Sequence, residues 1–134
     1  MQPLSMALEV IDGGQVARVR LFGDNGFEVS LKNAGAISAF VTARGFRALI
    51  LDWNECVMLQ DVQQFGDVAD HFIGALPPQT IFIVLHRPAQ LSHAMFMTKA
   101  LFRAGFPARA FSSEIDCLAW LAENALLPAA QGPN

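Results

Sequence analysis

Two short stretches hold most of the side chains that could do chemistry: Asp52-Trp53-Asn54-Glu55-Cys56 and His86-Arg87. A histidine oriented by a carboxylate beside a thiol is the skeleton of nucleophilic catalysis, so Asp52, Cys56 and His86 are the set to test. The plainer reading has Asp52 holding its own turn and His86 capping a strand end. No nucleophile motif accompanies the three, and an enzyme is not expected. His71, His86 and His93 fall on three separate elements, with no H-x-x-x-H or C-x-x-C spacing, so neither a metal nor a cofactor is expected. Arg87, ahead of Pro88 and near a helix start, has the type and place to hold an anion with the helix dipole; the competing reading is an ordinary surface arginine.

The elements that would position these residues can be read from periodicity. "MALEVID" (6–12) alternates apolar and polar residues as a half-buried strand does, and "DGGQ" (12–15) is a glycine turn suited to a hairpin. "VARVRLF" (16–22) alternates again with a slip at Ala17, and "GDNG" (23–26) breaks the chain. A helix is predicted over 28–44, with Ile37, Phe40, Val41 and Arg44 at helical spacing and Gly45 as its stop. "RALILDW" (47–53) is a continuous apolar run, the mark of a strand covered on both faces. Asp61 has the position of an N-cap for a second helix, with Val62, Phe65, Ala69, Phe72, Ile73 and Leu76 as its apolar stripe. "IFIVLH" (81–86) is another buried strand, a third helix follows over 89–104, and "ARAF" (108–111) is a short last strand. Ser112 or Ser113 would cap a fourth helix carrying Ile115, Leu118, Ala119, Ala122 and Leu126.

The order is β-β-α-β-α-β-α-β-α: an α/β domain with a central mixed, mostly parallel sheet and four helices. One domain over 1–126 and a flexible tail over 127–134 are expected. In such a sheet, ligands sit at the carboxyl ends of the strands, where Asp52 to Cys56 and His86 to Arg87 fall.

The third helix is apolar almost all round. Leu91, Ala94, Met95, Thr98, Leu101 and Phe102 are read as its inner stripe, which leaves Phe96, Met97 and Ala100 on the opposite flank. Three readings compete for that flank: a homodimer interface, which is preferred; a cleft for an apolar small molecule; or core positions in a different phase.

Composition narrows the function further. Hydrophobic residues make up 53% of the 134 and charged residues 16%, the profile of an ordered chain with an apolar surplus for a partner or a ligand. The net charge is −3 and the nine Lys and Arg are scattered, which argues against nucleic acid. No apolar run reaches the roughly 20 residues of a membrane span. "MQPLSMALEV" lacks the basic and apolar segments of a signal peptide, so a cytoplasmic protein is expected, with Cys56 and Cys117 free and buried.

Three local patterns, in this order, resemble the STAS domain (sulfate transporter and anti-sigma factor antagonist), and its SpoIIAA-like branch in particular. "VARVRLFGD" (16–24) looks like that family's second strand, "FRALILDWNEC" (46–56) resembles its central strand ending in Asp, and "ARAFSSEIDCLAWL" (108–121) is similar to its closing strand and helix. The resemblance covers about 6–124 and implies a protein-interaction module with an unknown protein partner. In anti-sigma factor antagonists an Asp-Ser-Ser-Gly turn at the start of the second helix carries the phosphorylated serine. Laid on this chain, the aspartate falls on Asp61, and Val62 and Gln63 stand where the hydroxyls should be. A kinase of that system would find no acceptor. The branch also resembles the CRAL-TRIO lipid carriers in outline, which makes a carrier or sensor of an apolar, lipid-like ligand the alternative. Trp53, Asp61, His86, Arg87, Phe96, Met97 and Ala100 are the candidate ligand or interface residues.

Overall fold

The structure, a computed structural model, describes residues 3–11 and 13–127. Asp12 of the expected glycine turn, and the tail beyond Leu127, lie outside the described residues. Strand β1 (Ser5–Val10) runs antiparallel to β2 (Val16–Asn25), and the turn between them places Gly13 at φ 99° and Gly14 at φ 76°. Side chains with a Cβ adopt that left-handed region at a cost, which is why a glycine pair stands there.

Helix α1 (Phe27–Arg44) ends at Gly45, whose φ of 67° lets its N–H reach back to the carbonyls of Val41 and Thr42. Then follow β3 (Ala48–Met58), α2 (Val62–Ala75), β4 (Ile81–Leu85), a single 3-10 turn (Pro88–Gln90), α3 (Leu91–Arg103), β5 (Ala108–Phe111) and α4 (Glu114–Glu123). The five strands lie in sequence order, and every pair after the first is parallel.

That simple order decides the layers. Parallel crossovers are right-handed, and three of them stepping in one direction must carry α1, α2 and α3 over the same face. The core agrees: Ala34, Ile37 and Val41 of α1, Phe65, Val68 and Phe72 of α2, and Ala94, Met97 and Leu101 of α3 pack with Val19, Leu51, Trp53, Phe82 and Val84. Helix α4 closes no crossover and covers the opposite face, where Cys117 and Leu121 meet Val16, Ala48, Ile50, Ile83 and Leu85.

Two-sided burial accounts for the slip at Ala17. Ala17, Val19 and Leu21 point to the three helices, whereas Val16 points under α4, so both phases of β2 are apolar. Strands β2 and β3 also run past the expected breaks at 22 and 53. Arg20 stands opposite Asp52 but Phe22 stands opposite Glu55, so β3 carries one extra residue as a bulge and then continues to Met58.

Two helices are phased differently from expectation. In α3 the buried residues are Ala94, Met97, Thr98 and Leu101, with Phe96 and Ala100 partly buried against the same core, while Leu91, Met95 and Phe102 are exposed. Hydrophobicity on both sides of this helix gave the sequence no single stripe to choose. In α4 the inner positions are Cys117 and Leu121, and Ile115 is exposed. In α2, Val62 of the expected stripe is exposed as well.

Candidate functional site

The bulge in β3 sorts the chemistry-bearing residues between the two faces. Before it, Asp52 faces α4; within it, Trp53 turns into the three-helix core; after it, Cys56 joins that same core. Asp52 Oδ2 accepts from Arg18 Nη2 at 2.7 Å and from Nε at 3.2 Å, while Oδ1 accepts from the Asn54 backbone N–H at 3.0 Å and from Nδ2 at 2.8 Å. Arg18 Nη2 also pairs with Glu114 Oε1 at 2.5 Å, tying the start of α4 to the sheet. Burial pulls the Arg18 guanidinium down, but hydrogen bonds to Asp52 and Glu114 outweigh it and leave the group raised above its ordinary value.

Asp52, Cys56 and His86 therefore do not assemble. Asp52 shares its face with its β4 partner Leu85, and period-two alternation sends the next residue, His86, the other way. The carbonyl oxygen of Arg87 can only accept, so His86 Nδ1–H donates to it at 2.8 Å. Burial pushes the Cys56 thiol up from 9.0 to about 12, the opposite of an activated nucleophile.

Arg87 and Gln90 instead brace the bulge. Arg87 Nη2 donates to the Cys56 carbonyl at 2.7 Å; Gln90 Nε2 donates to the carbonyls of Trp53 at 3.0 Å and Cys56 at 2.9 Å. Gln90 Oε1 accepts the Arg87 backbone N–H at 2.9 Å. The guanidinium thus serves the protein's own backbone, and α3 begins only after the 3-10 turn.

The connection from β3 to α2 is held from below in the same manner. Leu59 N–H donates to the Asn25 carbonyl at 3.1 Å, and Asn25 Nδ2 donates to the Met58 sulfur at 3.3 Å. Buried Gln60 donates through Nε2 to Ser30 Oγ at 2.7 Å, and Ser30 in turn donates to Asn25 Oδ1. The Gln60 carbonyl accepts from His93 Nε2–H at 2.9 Å, which links the connection to α3. Beneath it the Phe65 ring stands edge-on to Trp53, with centroids 5.5 Å apart, and to His93, at 5.2 Å.

Asp61 starts α2 with a capping box: its Oδ1 accepts the Gln64 backbone N–H at 2.7 Å, and its own N–H donates to Gln64 Oε1 at 3.2 Å. What this braced connection presents outward is apolar: Val57 is 49% exposed, Leu59 54% and Val62 45%.

The structure thus distributes the expected site residues. Asp61 lies on the outer rim of this connection, and Arg87 supports it from the adjoining turn. Trp53 and Met97 are core, His86 is buried, and Phe96 and Ala100 pack inward. An interface on α3 would use Leu91, Met95 and Phe102 instead. The space enclosed between the helices and the sheet, lined by Asn25, Ser30, Trp53, Phe65 and Met97 among others, measures about 20 Å³, room for one water. The larger spaces among the described residues are open surface grooves. Arg18, Gln60 and Gln90 were missed by sequence reasoning; the available signal was a polar residue inside or beside a segment otherwise buried on both faces.

No protein-family model matches the sequence, and no curated protein matches it. Solved structures do. An anti-sigma factor antagonist from Mycobacterium paratuberculosis superposes with a TM-score of 0.62 at 21% identity, over 88% of this chain and 93% of that one. An uncharacterised protein of the DUF3478 family with a SpoIIAA-like fold, from Shewanella loihica, gives 0.57 at 12% identity, over 90% and 95%. The anti-sigma factor antagonist SpoIIAA in its unphosphorylated form gives 0.53 at 14%, over 87% and 97%.

The chain has the SpoIIAA-like fold.

Within this fold the second helix opens Asp61-Val62-Gln63-Gln64, with the aspartate occupied as a cap and Val62 facing solvent. Among the described residues no helix is long and apolar enough to cross a membrane.

Proposed function

We propose that this chain is a non-enzymatic, cytoplasmic protein-interaction module that docks its partner through the β3–α2 connection, without the phosphorylatable serine of anti-sigma factor antagonists. One observation carries the reading. Val57, Leu59 and Val62 are held out to solvent on a backbone that buried Asn25, Ser30 and Gln60, with half-buried His93, hold from below. Apolar groups on a braced support dock with little ordering cost, because the connection is already in its binding conformation. With Val62 and Gln63 at the helix start there is no hydroxyl to modify, so docking is constitutive and set by the partner's concentration. The anti-sigma factor antagonists that share the fold are the relatives that motivate a protein partner.

The test is site-specific photo-crosslinking in cells, with p-benzoylphenylalanine placed at Val62 and, as the distant reference, at Gly74 near the far end of α2. A discrete heterologous adduct at position 62 and none at 74 is expected. No adduct at 62, or the same adducts at both positions, would overturn the docking surface.

A further inference from the structure

One edge of the sheet carries a second surface, independent of the β3–α2 connection. Strand β5 is an edge. Phe82 N–H bonds the Pro107 carbonyl at 2.8 Å and His86 N–H bonds the Phe111 carbonyl at 2.9 Å, so Pro107, Arg109 and Phe111 turn their peptide groups toward β4. By the alternation of a parallel ladder, the N–H and C=O groups of Ala108 and Ala110 point outward from the sheet. An open groove of about 510 Å³ follows this edge, with Met95 and Phe102 of α3 on one side and Trp120 of α4 on the other. Phe102, at 70% exposure, is the most exposed aromatic side chain among the large hydrophobics.

The groove is also charged, and with one sign. Arg109 lies in it with its guanidinium 5.4 Å from the Trp120 ring centroid, and Lys99 and Arg103 line its continuation beside Phe102 and Ala108. Three of the chain's nine basic residues therefore gather here although the net charge is −3. Among the described residues no carboxylate lines either part of the groove, and no salt bridge engages the three cations.

We propose that the groove along the free edge of β5 is a docking site for an acidic, extended segment of a partner protein, which adds to the sheet as a sixth strand. The exposed peptide groups of Ala108 and Ala110 supply the pairing, Met95, Phe102 and Trp120 receive alternate apolar side chains, and Lys99, Arg103 and Arg109 select the charge. A short edge strand bearing a charge also discourages aggregation, but that purpose does not call for Phe102 and Met95 exposed beside it. A second copy of the chain fits poorly: antiparallel pairing of β5 with itself in the register that sets Ala108 opposite Ala110, which uses both outward peptide groups, would set Arg109 against Arg109, and like charges directly opposite destabilise. A lipid surface would leave the outward peptide groups without partners.

The test is selection of random twelve-residue peptides displayed on phage against the full chain, followed by fluorescence anisotropy with the best synthetic peptide. Enriched peptides are expected to alternate apolar residues with Asp or Glu. Their affinity should fall at least tenfold in Phe102→Ser and in Arg109→Glu, both exposed positions whose fold is checked by circular dichroism. The amides of Ala108 and Ala110 should gain protection from hydrogen exchange when peptide binds. The proposal is overturned by an empty selection, by peptides without acidic bias, by unchanged affinity in both variants, or by binding that leaves the two amides unprotected. It is equally overturned if the groove variants change the chain's mass in solution, which would make a second copy the occupant. Retention on phosphatidylserine vesicles that is lost in Arg109→Glu would point to a membrane instead and overturn it too.

Discussion

Over one face of the sheet lie three helices and a core that includes Trp53, Phe65, Phe72, Phe82 and Met97; over the other lies α4 alone, ten residues long. The first face is closed by aromatic and aliphatic packing. The second has a smaller cluster around Ile50, Ile83, Cys117 and Leu121, and its helix is fastened at one end by the ions Arg18, Asp52 and Glu114. The difference follows from topology. Three crossovers commit α1, α2 and α3 to one side, whereas the last helix, free of any crossover, needs a specific tether. Cutting into the first face should cost packing energy, and cutting into the second should cost an ion network.

The largest effect is expected from Trp53→Ala, which empties the space beside Phe65 and beneath the β3–α2 connection. It should lower stability by about 3–5 kcal/mol in urea unfolding. A loss below about 1 kcal/mol would mean that the core collapses around the gap.

Next comes Arg18→Met, which leaves Asp52 buried without its cation and should cost roughly 2–4 kcal/mol. Adding Asp52→Leu should restore a large part of that loss, because the stranded charge is then removed as well. If the double variant is no better than the single one, the ions are more than a fastening and the comparison between the faces fails.

The two thiols sharpen the contrast. Burial holds Cys56 at about 12 on the three-helix face and Cys117 at about 11 under α4, each raised from 9.0. Because the folded values are raised, this contribution to stability is intact below pH 9.0 and is lost as the pH climbs toward 11 to 12. Stability should therefore be insensitive to the thiols up to about pH 8 and decline above it, as unfolded thiols begin to ionise first. Iodoacetamide at pH 8, followed by mass mapping, should modify Cys117 before Cys56, since a lone tethered helix opens locally more easily than three packed ones. Cys56 reacting first would reverse the ranking of the faces.

The smallest effect is expected from Glu114→Gln. Its carboxylate is half-exposed and shares Arg18 with Asp52, so the loss should be at most about 1 kcal/mol in the same urea assay.

Much of this architecture is legible in the residues themselves. Gly13 and Gly14 mark the hairpin, Gly45 stops α1, Asp61 caps α2, and the runs at 48–53 and 81–85 announce strands covered on both sides. What was hidden has physical reasons. The bulge at Asp52–Glu55 has no compositional signature, because Asp, Trp, Asn and Glu in a row also describe a turn. Helix α3 carries apolar residues on both flanks of Ala94 and Leu101, so Met95 and Phe102 read as inward and Phe96 and Met97 as outward, the reverse of what the packed core shows. The site was harder still. Gln60 and Gln90 act through contacts 30 to 37 residues away in sequence, and local pattern carries no trace of them.

The central claim is that the β3–α2 connection binds a protein partner through its apolar rim. The most direct measurement is the affinity of the crosslinked partner, once purified, for the wild-type chain and for Val62→Asp by isothermal titration. As Val62 touches solvent, the substitution should move stability by less than about 0.5 kcal/mol. The account predicts a loss of affinity of roughly 100-fold, as expected when a charge is forced into an apolar contact centre. Unchanged affinity in a fully folded Val62→Asp variant would contradict it.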